Sequence, residues 1–144
     1  VSSKTFSFIK ILLKMENHFS KIKSFLLDLE YTIIKENAEE QLFVAENLEA
    51  GITNLIIDCE DPLLIIEVYL FEIKNKNINT IESLLIKNRD IIHGAFALDE
   101  SGKKVFFRDT LQLENLDFNE LQATLYSLEI LLSEYVDNII AFSK

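Results

Sequence analysis

Hydrophobic residues recur at spacings of three and four near both ends of this chain, and at spacings of two between them. In the C-terminal stretch Phe118, Leu121, Leu125, Leu128, Leu132, Tyr135, Ile139 and Phe142 alternate three and four without a miss. That pattern predicts one amphipathic helix with a continuous buried stripe. Asp117, answered three residues later by Glu120, is placed to cap it. A helix of about 26 residues is about 39 Å long, so the rest of the chain has to supply a surface of that length. Leu131, Val136 and Ile140 widen the stripe, which suits packing on a sheet better than a coiled-coil seam.

The same spacing runs through Phe8, Leu12, Met15, Phe19, Ile22, Leu26 and Leu29 and predicts a first helix, best supported from about Asn17 to Glu30. Residues 1–14, VSSKTFSFIKILLK, have two compatible readings: an extension upstream of a start at Met15, or a real lengthening of that helix. Lys10 interrupts the apolar run and no small-residue cleavage site follows, unlike a secretory signal. The run is also too short to span a bilayer. Residues 15–144 are then a single domain.

From Tyr31 to Ile73 the period is two, giving four antiparallel strands, YTIIKE, QLFVAEN, ITNLIIDC and LLIIEVYLFEI, joined by short turns. In the third, Thr53, Leu55, Ile57 and Cys59 share one face and Ile52, Asn54, Ile56 and Asp58 the other. In the fourth, Leu64, Ile66, Val68 and Leu70 form a core face. The opposite face, Leu63, Ile65, Glu67, Tyr69, Phe71 and Ile73, is too apolar to be left to water. The chain's own helices, a dimer mate or a bound partner would cover it. As a partner site it offers Ile65, Tyr69 and Phe71 for apolar contact, with Glu67 and Glu72 favouring a basic segment. Asn79, with Glu82 three residues on, is expected to cap a second helix lined by Ile81, Leu84, Leu85 and Asn88. The strands GAFALD and KVFFRDTL follow, joined by a turn at Asp99 to Lys103. The order α-β-β-β-β-α-β-β-α predicts an α+β fold, an antiparallel sheet with helices packed against it.

Composition narrows the function classes. The 144 residues are 49% hydrophobic with only 3 Gly and 1 Pro, as in one densely structured domain. A net charge of -10 argues against nucleic acid and against an anionic membrane as partners. The single cysteine, Cys59, allows no intrachain disulfide and suits the cytoplasm. On a strand it reads as a small buried hydrophobe.

Candidate chemistry is sparse. His18 and His93 are far apart in sequence, and Asp58, Glu60 and Asp61 lack the ligand spacing of a calcium loop. Asp99 to Lys103 has one glycine and joins two strands, unlike a phosphate loop. No serine or threonine sits in a nucleophile elbow. No catalytic residue, metal ligand or cofactor is expected, and the chain reads as a non-enzymatic binding protein.

The segment IESLLIKNRDIIHGAFALDESGKKVFFRDTLQLENLDFNELQATLYSLEILLSEYVDNI resembles the C-terminal half of the type III secretion chaperone-like fold, the group of CesT or Tir chaperones and YbjN-like proteins. The resemblance lies in a helix ending near Asn88, a strand G-x-F-x-L-D at Gly94, Phe96, Leu98 and Asp99, a second strand with Phe106, Phe107 and Arg108, and a long final helix. It implies a small acidic cytoplasmic protein, a homodimer, that holds an extended or amphipathic apolar segment of a client protein. Four strands precede the middle helix where secretion chaperones usually have three. This sets the chain nearer the YbjN side, whose function is undefined and for which a small-ligand-binding or regulatory domain is the alternative.

Overall fold

A computed structural model describes residues 2–75 and 77–144, without the side chain of residue 16. The elements are α1 (Ser3–Asp28), β1 (Thr32–Asn37), β2 (Leu42–Asn47), β3 (Ile52–Glu60), β4 (Leu63–Glu72), α2 (Ile78–Lys87), β5 (Ala95–Leu98), β6 (Lys104–Gln112) and α3 (Phe118–Phe142). Their order is the expected one. All six strands form one antiparallel sheet, β1-β2-β3-β4-β6-β5, in which β6 inserts between β4 and β5.

Alternate strand residues build the core. Phe43, Leu55, Ile57, Leu64, Ile66, Val68, Val105 and Phe107 are buried on one face of the sheet, beneath α1 and α3. Helix α1 contributes Phe19, Ile22 and Leu26, with Phe19 stacked on Phe43 at 4.1 Å between ring centroids. Helix α3 contributes Leu121, Leu125, Leu128 and Leu131, and its first ring, Phe118, meets Phe25 of α1 edge-on. The Tyr31 hydroxyl donates to Glu129 at 2.9 Å, tying the start of β1 to the middle of α3. Val136 and Ile140 stay exposed, so the buried stripe of α3 is narrower than its sequence suggests.

The caps follow local chemistry. Asp117 accepts from the Glu120 amide at 2.9 Å while the Glu120 carboxylate accepts from the Asp117 amide at 3.2 Å, a complete capping box. For α2 the expectation needs correcting: Asn77, not Asn79, is the cap and accepts from the Thr80 amide at 2.9 Å. That start turns Thr80 and Leu84 inward and leaves Leu85, expected on the inner side, exposed.

The G-x-F-x-L-D strand has a physical basis at each position. Gly94 has a φ of 81°, and a Cβ there would fall inside the ring of Phe107. Phe96 is buried, and Asp99 closes the β5–β6 turn by accepting from the Ser101 hydroxyl at 2.7 Å and the Lys104 amide at 3.2 Å. Those bonds hold the exposed Asp99 carboxyl below the usual range. On the open edge of β5, Asn88 stands in for a neighbouring strand. Its Oδ1 accepts from the Phe96 amide at 2.8 Å and its Nδ2 donates to the Phe96 carbonyl at 3.3 Å.

Candidate functional site

The second face of the sheet is where the residues expected to meet a partner converge, and strand register decides which of them share it. Glu67 of β4 lies between Ile56 of β3 and Arg108 of β6, Ile65 lies between Asp58 and Thr110, and Tyr69 lies opposite Phe106. Period-two alternation puts these side chains on the face opposite the core. Among the described residues this face carries no helix. Tyr69 is 48% exposed and meets Phe106 edge-on, with 5.6 Å between centroids. Ile56, Ile65 and Phe106 are half-buried by one another and by their strand neighbours.

Expected face assignments change on two strands, each at a register irregularity. A register irregularity lies between Tyr69 and Phe71, so β4 takes one extra residue at Leu70 and its alternation flips. Phe71 and Ile73 therefore turn into the core, where Phe71 packs against Phe142 at 6.2 Å. Leu70, expected in the core face, is only half-buried. Phe71 thus leaves the outer set. In β3 the same happens near Asn54, which has a φ of 52° beside a register irregularity between Ala45 and Asn47 of β2. Ile52 is buried with Leu55 while Thr53 is exposed.

Charge lies within this face as well as at its rim, because Glu67 stands between Ile65 and Tyr69 on β4 and beside Ile56. Arg108 Nη1 donates to Glu67 Oε2 at 2.6 Å, so Glu67 is already paired within the chain. Glu72 lies opposite Lys104 and 3.8 Å from Lys74. Burial first, and then the charges of Glu60 and Glu40, push the Asp58 carboxyl up. Sequence reading put Ile56 on the face opposite Leu55 and Ile57 but joined neither it nor Phe106 to this site. Their signal was the alternation itself: with Val105 and Phe107 inward, Phe106 and Arg108 must point out.

The groups with nominal reactivity are elsewhere. Cys59 lies on the core side, where burial and the neighbouring Asp58 push its thiol up to about 12, far from nucleophilic. His18 belongs to α1, where burial and then Lys21 and Lys14 lower its pKa. His93 belongs to the α2–β5 turn, tied to Ser127 of α3, whose hydroxyl donates to its carbonyl at 2.8 Å and accepts from its amide at 3.3 Å. Among the described residues no group of three or more His, Cys, Asp or Glu converges as metal ligands. A groove of about 310 Å³ runs between Ile91, Ile92 and His93 and the outer side of α3 at Ala123, Tyr126 and Ile130. Its Ser127 hydroxyl is committed to the His93 backbone. Among the described residues these groups do not converge on one site.

A family model described as CesT_Tir_1 matches residues 15–144. The chain belongs to the CesT_Tir_1 family. Its fold is also that of several solved structures at low identity. YbjN from E. coli is 13% identical with a TM-score of 0.61, over 83% of this chain and 91% of that one. A chain of the HopA1–SchA chaperone–effector complex is 13% identical with a TM-score of 0.58, over 90% and 96%. The Yersinia pestis type III secretion chaperone SycH, solved with a stable fragment of YscM2, gives 16% and 0.57, over 88% and 99%. No curated protein is a match by sequence. These likenesses fix the CesT_Tir_1 architecture, and the family match starts at Met15, beyond the first three turns of α1.

Proposed function

We propose that this CesT_Tir_1 chain is a non-enzymatic, chaperone-like cytoplasmic protein that holds an apolar segment of a client protein on the outer face of its sheet. The observation that carries the proposal is the face formed by Ile56, Ile65, Tyr69 and Phe106 around the Glu67–Arg108 pair, which no helix of this chain covers among the described residues. An extended segment has alternate side chains to lay across such a band, and an amphipathic helix has a stripe. Ile65 and Tyr69 supply the apolar contact. Because Arg108 already neutralises Glu67 and Lys74 lies 3.8 Å from Glu72, preference for a basic client would rest on Asp58 and, more weakly, on Glu72. Solved complexes of similar fold, HopA1–SchA and SycH with its YscM2 fragment, agree with a protein client.

A homodimer is part of the proposal. Ile78, Leu85, Ile86 and Ile92, on and just after α2, are all more than half exposed, which gives a second copy an apolar surface separate from the client band. The small-ligand alternative has the groove beside α3 as its foothold, where Lys87, Asp90, His93 and Glu134 supply polar lining, but Lys87 lies 3.9 Å from Asp90 and Ser127 is already engaged. Co-purification from the native cell with Ile65→Ser, Tyr69→Ser chain tests the reading. The double variant should stay folded, melting a few degrees lower, keep its dimer mass and lose the bound protein. Equal recovery of that protein with wild type and variant would refute it.

A further inference from the structure

Among the described residues nothing packs against the N-terminal half of α1. Every residue from Ser3 to Lys14 is exposed, and contact with the core begins only at Met15, His18 and Phe19. Twelve residues at 1.5 Å each make an arm about 18 Å long, outside the stretch matched by the family. Its composition differs from that of the body. Phe6, Phe8, Ile9, Ile11, Leu12 and Leu13 are 44% to 61% exposed. Phe8, Leu12 and Met15 continue the row that becomes the core stripe, while Phe6, Ile9 and Leu13 add a second row on a side where the body presents Ser20 and Lys23. The remaining side carries Ser3, Ser7, Lys10 and Lys14, and Lys4 lies at the far edge of the apolar arc, just inside Ile11.

The charges there have one sign. The arm holds Lys4, Lys10 and Lys14 and no acidic residue, in a chain with 24 Asp and Glu against 14 Lys and Arg. Lys10 folds back over the Phe6 ring, with its Nζ 4.7 Å from the centroid.

We infer that this arm is an interfacial anchor, lying flat on an anionic lipid surface with its apolar rows in the headgroup–acyl boundary and its lysines at the phosphates. An apolar arc of about half the helix circumference with cations on both flanks matches a planar boundary between hydrocarbon and anionic headgroups. A second copy of the chain is a poorer occupant. It would have to offer carboxylates along both flanks of an apolar groove, and the apolar band on its open sheet face has Glu67 already paired with Arg108. The arm lies on the bilayer instead of crossing it, since no described helix is long and apolar enough to span one.

Vesicle co-sedimentation of the full chain, with phosphatidylcholine alone and mixed with phosphatidylglycerol, decides the matter. Wild type should pellet with the mixed vesicles, less so in high salt, and stay in solution with phosphatidylcholine. Lys4→Gln, Lys10→Gln and Lys14→Gln together should lower the partition by on the order of a hundredfold, each lysine near the surface being worth about fivefold. Phe8→Asp with Leu12→Asp should abolish it, and both variants should melt like wild type. The inference is overturned if wild type stays in solution with both lipids, if pelleting ignores the variants, or if either variant melts lower, which would place the arm in the fold. It is equally overturned if, without lipid, Phe8→Asp dissolves a wild-type oligomer, because the arm then serves a second copy.

Discussion

Tyr69 and Phe71 are two residues apart on one strand and face opposite ways. Phe71 is sealed in the core against Phe142, so Phe71→Ser should cost about 3–5 kcal/mol of stability. Tyr69 stands on the uncovered face, and Tyr69→Ser should cost about 1 kcal/mol, the worth of its edge contact with Phe106. Urea unfolding of the two variants checks the contrast. The alternation from Leu63 to Val68 is plain in the sequence. The flip at Leu70 is not, because no glycine or proline marks a residue whose only peculiarity is an unmatched place in the ladder. Asp58 adds a pH test. Its folded-state pKa is raised above 3.8, so its ionised form costs stability above the folded pKa, and the cost disappears as pH falls below 3.8. Asp58→Asn should therefore raise the melting temperature at neutral pH and give no gain below pH 3.8.

At the scale of elements, legibility followed locality. The α3 capping box needs only Asp117 and Glu120, three residues apart, and was readable. The cap of α2 was not, since Asn75, Asn77 and Asn79 are all competent and the choice is made by which residues, Thr80 and Leu84, must turn inward. The role of Asn88 was equally hidden, because its partner Phe96 is brought back to it by the chain reversal after α2. Removing it tests how the β5 edge is protected. Asn88→Ala leaves the Phe96 amide and carbonyl unpaired, which should cost about 1–3 kcal/mol and increase concentration-dependent self-association through the opened edge. Chemical unfolding reads the first effect and light scattering the second.

For the whole molecule, the element order, the antiparallel sheet and the resemblance carried by residues 81–139 were all available from sequence, and the CesT_Tir_1 match agrees with them. What averaging concealed was distribution. A net charge of -10 argues against an anionic membrane for the chain as a whole, yet its first turns are purely basic. A half-apolar sheet face could have been covered by the chain's own helices, and only the placement of α1 and α3 on the other side leaves it open. The most direct test of that open face is site-specific photo-crosslinking in the native cell, with a benzophenone side chain at position 69 compared with one at the exposed position 126 on α3. The account predicts a discrete adduct to another protein from position 69 and none of that mass from 126. Adducts only to a second copy of this chain from position 69, or the heterologous adduct only from 126, would contradict it.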